Sequence, residues 1–453
     1  MIKVKNIAIF GLGKEGVASA NYFGKDNQIS ILDQKPKEKI EKVFLDKVKA
    51  RDASFYFDGN LPKNQKFDYI IRSPGVRSDN PLVLKLIKSG AIVTSATKIF
   101  FDLCPGIIIG VTGTKGKGTT SALVYEMLKT KYGQVYLAGN IGTPMLEILP
   151  KLKKSSFVVL ELSSFQLFDL KKSPHIAVVL MITSEHLDWH KTSQEYRQAK
   201  KSIVAYQNKN DFAVINQDYP VSKSFANKTK ACVYFVSTKQ NTNGVYIANG
   251  KIISEIAGYE EICPTSDVIL SGRHNLQNVA AAISIARILD IESQNIVEIL
   301  KNFKGLTHRL QLVREINKVK YYNDSFSTTP ETTISAIEAF QNPKILILGG
   351  SSKKSDFSLL GQKIVSDKSV KALILIGQES GRIKEAVTQT GNFTGQIIKG
   401  LKNMKEIVQK SQSLAKAGDI VILSPACASF DMFKNYQDRG EQFINEVKRI
   451  GKN

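Results

Sequence analysis

The stretch GVTGTKGKGTT, residues 110 to 120, carries the residue types that grip phosphate. Gly113 and Gly116 let backbone N–H groups close on phosphate oxygens, and Lys117 supplies the cation. The spacing departs twice from the usual G-x-x-x-x-G-K-[ST]: Val111 stands five positions before Gly116, and Gly118, which has no hydroxyl, follows Lys117. Thr119, one residue later at a helix start, offers the missing hydroxyl to a magnesium ion. The expected phosphate cradle is therefore Gly113, Thr114, Gly116, Lys117, Gly118, Thr119 and Thr120. Two further stretches supply what a magnesium site lacks. VVLELSSFQL ends a buried strand with the carboxylate of Glu161, and VLMITSEHLDWH ends the next with Glu185, His186 and Asp188. Ends of parallel strands converge on one edge of a sheet, so these ligands can meet at the phosphate loop.

A second glycine loop lies at the amino end: Gly11, Gly13 and Gly16 in IAIFGLGKEGVAS, with Asp33 closing the strand-like ISILD about 20 residues on. This is the dinucleotide fingerprint, and an NAD-binding domain is its default reading. The geometry requires only that a helix N-terminus meet a pyrophosphate, which a nucleotide sugar satisfies equally well.

The elements that must hold these residues alternate almost from end to end, strand-like apolar runs with helix-period stretches, as in parallel α/β sheets. The first unit runs from VKNIAIF to AIVTS, the second starts at GIIIGVTG, and the third carries KILILGG, VKALILIG and DIVILSP. Boundaries are expected near 95–105 and 303–306, where Gly or Pro precedes a new strand set. A chain of 453 residues exceeds one hydrophobic core.

The formal charge of +22 invites a nucleic-acid reading. The lysines are spread along the whole chain without an RNA- or DNA-binding signature, so a solvated surface suited to anionic substrates is expected instead. The longest apolar runs, such as IAVVLMI at 176–182, are of strand length, and the amino end enters a strand directly. A cytoplasmic protein without membrane insertion is expected. The four cysteines are scattered without ligand spacing and read as reduced thiols.

Together TGTKGKGTT, GNIGTP, ELSSFQL, EHLD, YRQAK, GRHNLQN, GLTHRLQ and YYNDSFST resemble the Mur ligases, in order and over the whole chain. The block SPACASFDMFKNYQDRG resembles the members that add D-glutamate to UDP-N-acetylmuramoyl-L-alanine. The resemblance implies three domains: a Rossmann-like UDP-substrate domain at 1–98, a central P-loop ATPase-like parallel sheet at 99–304, and a Rossmann-like amino-acid-binding domain at 305–453. It implies a monomer that uses ATP and two magnesium ions to make an amide through an acyl phosphate. Lys117 would hold the β- and γ-phosphates, and Glu161 and His186 would bind magnesium. Lys200, the lysine of YRQAK, would be carbamoylated and bridge the second ion. Asn275 and Asn278 would face the adenine and phosphates, and Arg309 and Asp324 would reach ATP from the third domain. Gly13, Lys14, Asp33, Ser73 and Asn140 would contact the UDP substrate, which turns the dinucleotide fingerprint into a UDP site. Thr328, Lys353, Ser429 and Tyr436 would bind D-glutamate. One departure is Phe326, in NDSFST, where the family's D-glutamate adders carry lysine; Lys353 or Lys354 could compensate.

The phosphate loop GTKGKGTT is nearer to that of folylpolyglutamate synthase, a glutamate-adding relative and the alternative reading. That enzyme lacks a UDP domain and the SPACASFDMFKN block. An NAD- or nucleic-acid-binding regulator leaves Lys117, Glu161 and His186 unexplained.

Overall fold

The computed structural model describes residues 5–50, 52–62, 65–183, 185–186, 189–270, 272–352 and 355–451. Its described strands form three sheets. In the first, strands Ser54–Tyr56, Gln28–Leu32, Asn6–Phe10, Tyr69–Arg72 and Ile92–Ser95 lie in that order, all parallel. Their near-continuous apolar runs suit strands covered on both faces. The helix Lys14–Phe23 leaves the glycine loop after the central strand and packs on the helix Met145–Ile148 of the next sheet's region.

The second sheet has nine strands. Its functional part is the parallel run Ile176–Val179, Ile107–Thr112, Phe157–Glu161 and Val135–Gly139. The chain leaves Ile107–Thr112 towards one edge, returns through Phe157–Glu161, and then crosses to Ile176–Val179 on the other side. The carboxyl end of Ile107–Thr112 is thus a switch point, where α/β sheets open a crevice for ligands. Register sets the site: Val111 pairs with Glu161, and Thr112 pairs with Val179. A mostly antiparallel extension, Val245–Ala248, Lys251–Ser254 and Glu260–Pro264, ends the sheet on the far side.

The third sheet orders Gln311–Ile316, Val319–Asn323, Ile420–Leu423, Lys344–Gly349, Val370–Ile376 and Gln396–Ile398, antiparallel only at its first pair.

The chain forms two compact units, residues 1–267 with 274–301, and residues 268–273 with 302–453. The first two sheets fall in one unit because apolar residues of both, Ile7 and Ile9 with Ile108 and Val158, belong to one continuous core bridged by Ile99, Phe100 and Phe101. The third sheet has its own cores on its two faces. Among the described residues no helix is long and apolar enough to cross a membrane.

Candidate active site

The phosphate loop is pinned from three sides. The helix Lys117–Lys129 starts from Gly116, whose φ of 87° is left-handed. A Cβ on Gly116 would stand 2.1 Å from Asn278 Oδ1, so glycine is required twice, by conformation and by space. Asn278 lies on the helix Arg273–Ile288, and its Nδ2 donates to Asn275 Oδ1 at 3.0 Å. On the other side, Thr114 N donates to Met181 O at 2.6 Å, and Thr114 Oγ1 meets Tyr196 OH at 2.9 Å. Thr183 N, past the strand end, also donates to Thr114 Oγ1, at 3.0 Å.

Two lysines converge on one carbonyl. Lys117 Nζ donates to Gly113 O at 3.0 Å and Thr114 O at 3.1 Å. Lys200 Nζ donates to the same Gly113 O at 2.9 Å and to Thr112 Oγ1 at 3.3 Å. Lys200 sits on the helix Ser193–Ala205, one turn after Tyr196, so the two share a face and the ammonium stands 4.9 Å from the tyrosine ring centroid. The side chain is buried, and burial drives its pKa well below the ordinary lysine value. The charge of Lys117 pushes the same way, while Glu185 and Glu161 oppose it. A lysine so placed is a neutral amine over a wider pH range, which is the form that reacts with carbon dioxide.

Glu161 closes its strand fully buried. Asn140 Nδ2 donates to its Oε1 at 2.7 Å, while Oε2 is buried with no hydrogen-bond partner among the described residues. A buried carboxylate oxygen without a partner is costly, and a cation is the chemistry that satisfies it. His186, with a left-handed φ of 58°, places its ring 4.8 Å from that of Phe165, and its Nε2 lies 3.6 Å from Glu185 Oε2. Among the described residues no three His, Cys, Asp or Glu side chains close around one point. Magnesium takes few protein ligands and keeps water and phosphate oxygens, so the unpartnered oxygen of Glu161 suits it. Asp188 lies outside the described residues. Of the loop hydroxyls, Thr119 is half-buried, while Thr120 Oγ1 is buried without a partner among the described residues.

At the first glycine loop, a Cβ on Gly16 would meet Gly11 O at 2.2 Å, so this glycine serves the chain's own packing. Gly13 faces open space, which leaves its backbone approachable by a ligand. Ser73 Oγ donates to Gly11 O at 2.7 Å, and Lys14 is exposed at the helix start. Asp33 accepts from Leu12 N at 2.8 Å and Lys35 N at 2.9 Å, so it shapes the loop itself. Glu15, in the first turn of this helix, accepts from Gln166 Nε2 at 2.7 Å, and burial raises its pKa to about 7. Sequence reading passed over both.

In the third-sheet unit, Asp324 accepts from Leu310 N at 3.1 Å and from Ser424 Oγ at 2.7 Å, and burial raises its pKa to about 6. Arg309 stacks its guanidinium 3.9 Å from the centroid of Phe326, whose ring meets Tyr436 edge-on at 5.2 Å. The residue in the family lysine's place is therefore a shelf for an arginine. Ser429 is buried, with Phe433 N donating to its carbonyl at 2.9 Å. The following helix starts only at Tyr436, so Ser429 lies in the turn that precedes it. Thr328 is half-buried beside this region, and Lys353 and Lys354 lie outside the described residues. The fully buried Arg439 organises the segment: its guanidinium donates to Ser325 Oγ and O and to the carbonyls of Cys427 and Ala428. No sequence pattern flagged it, because an arginine on an amphipathic helix ordinarily reads as surface.

A parallel sheet with a phosphate loop at its switch point, two lysines whose ammonium groups meet at that loop's Gly113 carbonyl and a buried carboxylate at the neighbouring strand's end define an enzyme of nucleotide-dependent phosphoryl chemistry. The Mur ligase middle domain matches residues 111–286, and the Mur ligase, glutamate ligase domain matches residues 308–427. The UDP-N-acetylmuramoylalanine–D-glutamate ligase of Acetivibrio thermocellus is 38% identical, over 99% of this chain and 97% of the relative. That of Clostridioides difficile is 37% identical over 99% of both. The chain belongs to the Mur ligase family. Among solved structures, the UDP-N-acetylmuramate-alanine ligase MurC of Thermotoga maritima superposes with a TM-score of 0.62 at 15% identity, over 98% of this chain and 100% of that one. MurF from the same organism, in complex with ADP, gives 0.57 at 19%, over 98% and 99%.

Proposed function

We propose that this enzyme joins D-glutamate to UDP-N-acetylmuramoyl-L-alanine while converting ATP to ADP and phosphate, a cytoplasmic step in making peptidoglycan precursors. The full-length identity to D-glutamate ligases carries the choice of substrates, over the folylpolyglutamate alternative. The convergence of Lys117 and Lys200 on Gly113 O, with the charge of Glu161 acting on Lys200, supports the chemistry.

A carboxylate resists attack by an amine because its leaving group would be oxide. An oxygen of the alanyl carboxylate attacks the γ-phosphorus and ADP departs, leaving an acyl phosphate. The amine of D-glutamate adds to the acyl carbon, its proton is lost, and phosphate leaves from the tetrahedral carbon. The protein's part is positioning and charge neutralisation. Lys117 leans over the loop carbonyls, where it can follow the γ-phosphoryl oxygens. Backbone N–H groups of the loop and the first turn of the helix Lys117–Lys129 hold the β-phosphate. Glu161 and His186 would hold magnesium, with Thr119 adding its hydroxyl; the ion neutralises charge on the phosphate oxygens. Lys200, as a carbamate, would offer a second ion an anionic ligand in place of a repelled ammonium. Asn140 fixes the rotamer of Glu161 through their 2.7 Å hydrogen bond, so its position beside the UDP substrate also serves the metal ligand.

Gly13, Lys14, Asp33 and Ser73 line the UDP end. Asn275, Asn278, Arg309 and Asp324 serve ATP. Thr328, Lys353, Ser429 and Tyr436 receive D-glutamate. Omission assays test the whole: phosphate release should need ATP, magnesium, UDP-N-acetylmuramoyl-L-alanine and D-glutamate together. Release driven by a folate and L-glutamate would overturn the assignment.

A further inference from the structure

The loop after the strand Tyr69–Arg72 and the turn that carries His186 are fastened together by one side chain that no part of the reaction above uses. The Arg77 guanidinium lies over two rings that meet edge-on at 5.2 Å, 4.8 Å from the centroid of Trp189 and 5.0 Å from that of Phe168. Its edge is taken up by Glu195, with both contacts at 3.0 Å, and by Asp79 at 2.7 and 3.0 Å, and it donates to Trp189 O at 2.8 Å. A planar guanidinium can stack and fork at once, which a lysine cannot. The indole returns the contact: Trp189 Nε1 donates to Gly75 O at 2.9 Å, two residues past Ser73.

Both ends of this clamp belong to the site. On one side Ser73 braces the first glycine loop through Gly11 O. On the other, Trp189 N and His190 N both donate to His186 O, at 3.1 and 2.8 Å, which ties the two rings' backbone to His186. Glu195 sits in the first turn of the helix that carries Tyr196 and Lys200. Pairing with Arg77 holds its carboxyl well below the usual range, at about 2, so the ion pair stays charged throughout the working pH range.

We infer that Arg77 is a positioning residue: it ties the loop at Ser73–Gly75 to the His186 turn and the Lys200 helix, so that occupancy of the first by a UDP group sets the geometry of the second. The inference rests on the UDP reading of the first glycine loop and on the metal reading of His186. A packing role alone would lower stability without separating the substrates. The clamp instead predicts that magnesium and the UDP substrate suffer together and D-glutamate does not.

Trp189 is the single tryptophan of the chain, so its emission reports the clamp directly. In Arg77→Ala the emission should shift to the red without any ligand, and adding UDP with magnesium should change it in the wild type but not in the variant. The magnesium concentration for half-maximal phosphate release, and the KM for the UDP substrate, should rise about tenfold, the size of a typical coupling between sites, with the KM for D-glutamate within about twofold. Arg77→Lys, which keeps charge but not the fork, should recover part of the loss. Should Arg77→Ala not fold, Arg77→Lys and Glu195→Gln carry the same readouts in weaker form. Unchanged emission and magnesium dependence, or an equal rise in all KM values, overturns the inference. If the wild type releases no phosphate with these substrates, the functional reading fails, while the ligand-free emission of Arg77→Ala still judges the clamp.

Discussion

Replacing Lys200 with methionine separates the chemistry of this lysine from its packing. Its Nζ has two acceptors, and each keeps a role in the variant: Gly113 O still receives Lys117 Nζ at 3.0 Å, and Thr112 Oγ1 still donates to Leu162 O at 2.8 Å. The substitution strands no buried acceptor, nearly conserves volume, and removes an amine whose charged form is disfavoured by burial and by Lys117. Lys200→Met should therefore be as stable as the wild type or more so. The sign with pH follows from linkage. The folded pKa of Lys200 lies well below its unfolded value of 10.5, so the unfolded chain binds the proton first. As pH falls from 10.5 to the folded pKa, the wild type loses about 1.4 kcal/mol per pH unit at this one group, and the variant loses none of it. Bicarbonate with magnesium should raise the Tm of the wild type, because a carbamate forms only on the folded protein's amine, and should leave the variant unmoved. Turnover of the variant should fall by about 10³ or more, as when a preorganised charge stabiliser is removed. Urea melts between pH 7 and 10, with and without bicarbonate, and phosphate release read these quantities. An active Lys200→Met, or one that keeps the wild-type pH slope and the bicarbonate response, would refute the reasoning.

Gly116→Ala must adopt a left-handed backbone at φ 87° and push Asn278 Oδ1 from 2.1 Å, so a loss of about 2–3 kcal/mol is expected in denaturant melts. Adding Asn278→Ala should recover only the steric part. Thr119→Ala should raise the magnesium requirement and cut turnover, while Gly118→Ser matters less; a silent Thr119→Ala would move the hydroxyl role to the buried Thr120. Ser429→Ala should raise the KM for D-glutamate far more than that for ATP, and turnover with D-alanine should be slower by orders of magnitude, because a pocket built for a second carboxylate leaves its donors unpaired without one.

Both glycine loops and the strands that carry them were legible, because apolar runs ending in Gly-rich turns leave few alternatives for a parallel sheet. Glu161 was legible for a related reason: a carboxylate at the end of a buried strand has no core role. Asn140 was assigned to the substrate alone, and its hydrogen bond to Glu161 was invisible because the two residues are 21 positions apart and meet only through strand pairing. That the first two sheets share one continuous core around Phe100 is a matter of tertiary burial, which local composition does not disclose. Arg77 and Arg439 escaped notice because sequence gives no sign that an arginine will be stacked or buried. Their partners come from loops and elements far away along the chain.

The central claim is that the substrate carboxylate is phosphorylated before the amide forms. UDP-N-acetylmuramoyl-L-alanine carrying ¹⁸O in its alanyl carboxylate, turned over with ATP, magnesium and D-glutamate, tests it by mass spectrometry of the products. One labelled oxygen should appear in each inorganic phosphate released, with none in ADP and one retained in the amide carbonyl. Unlabelled phosphate, or label carried on the nucleotide product, would contradict the account.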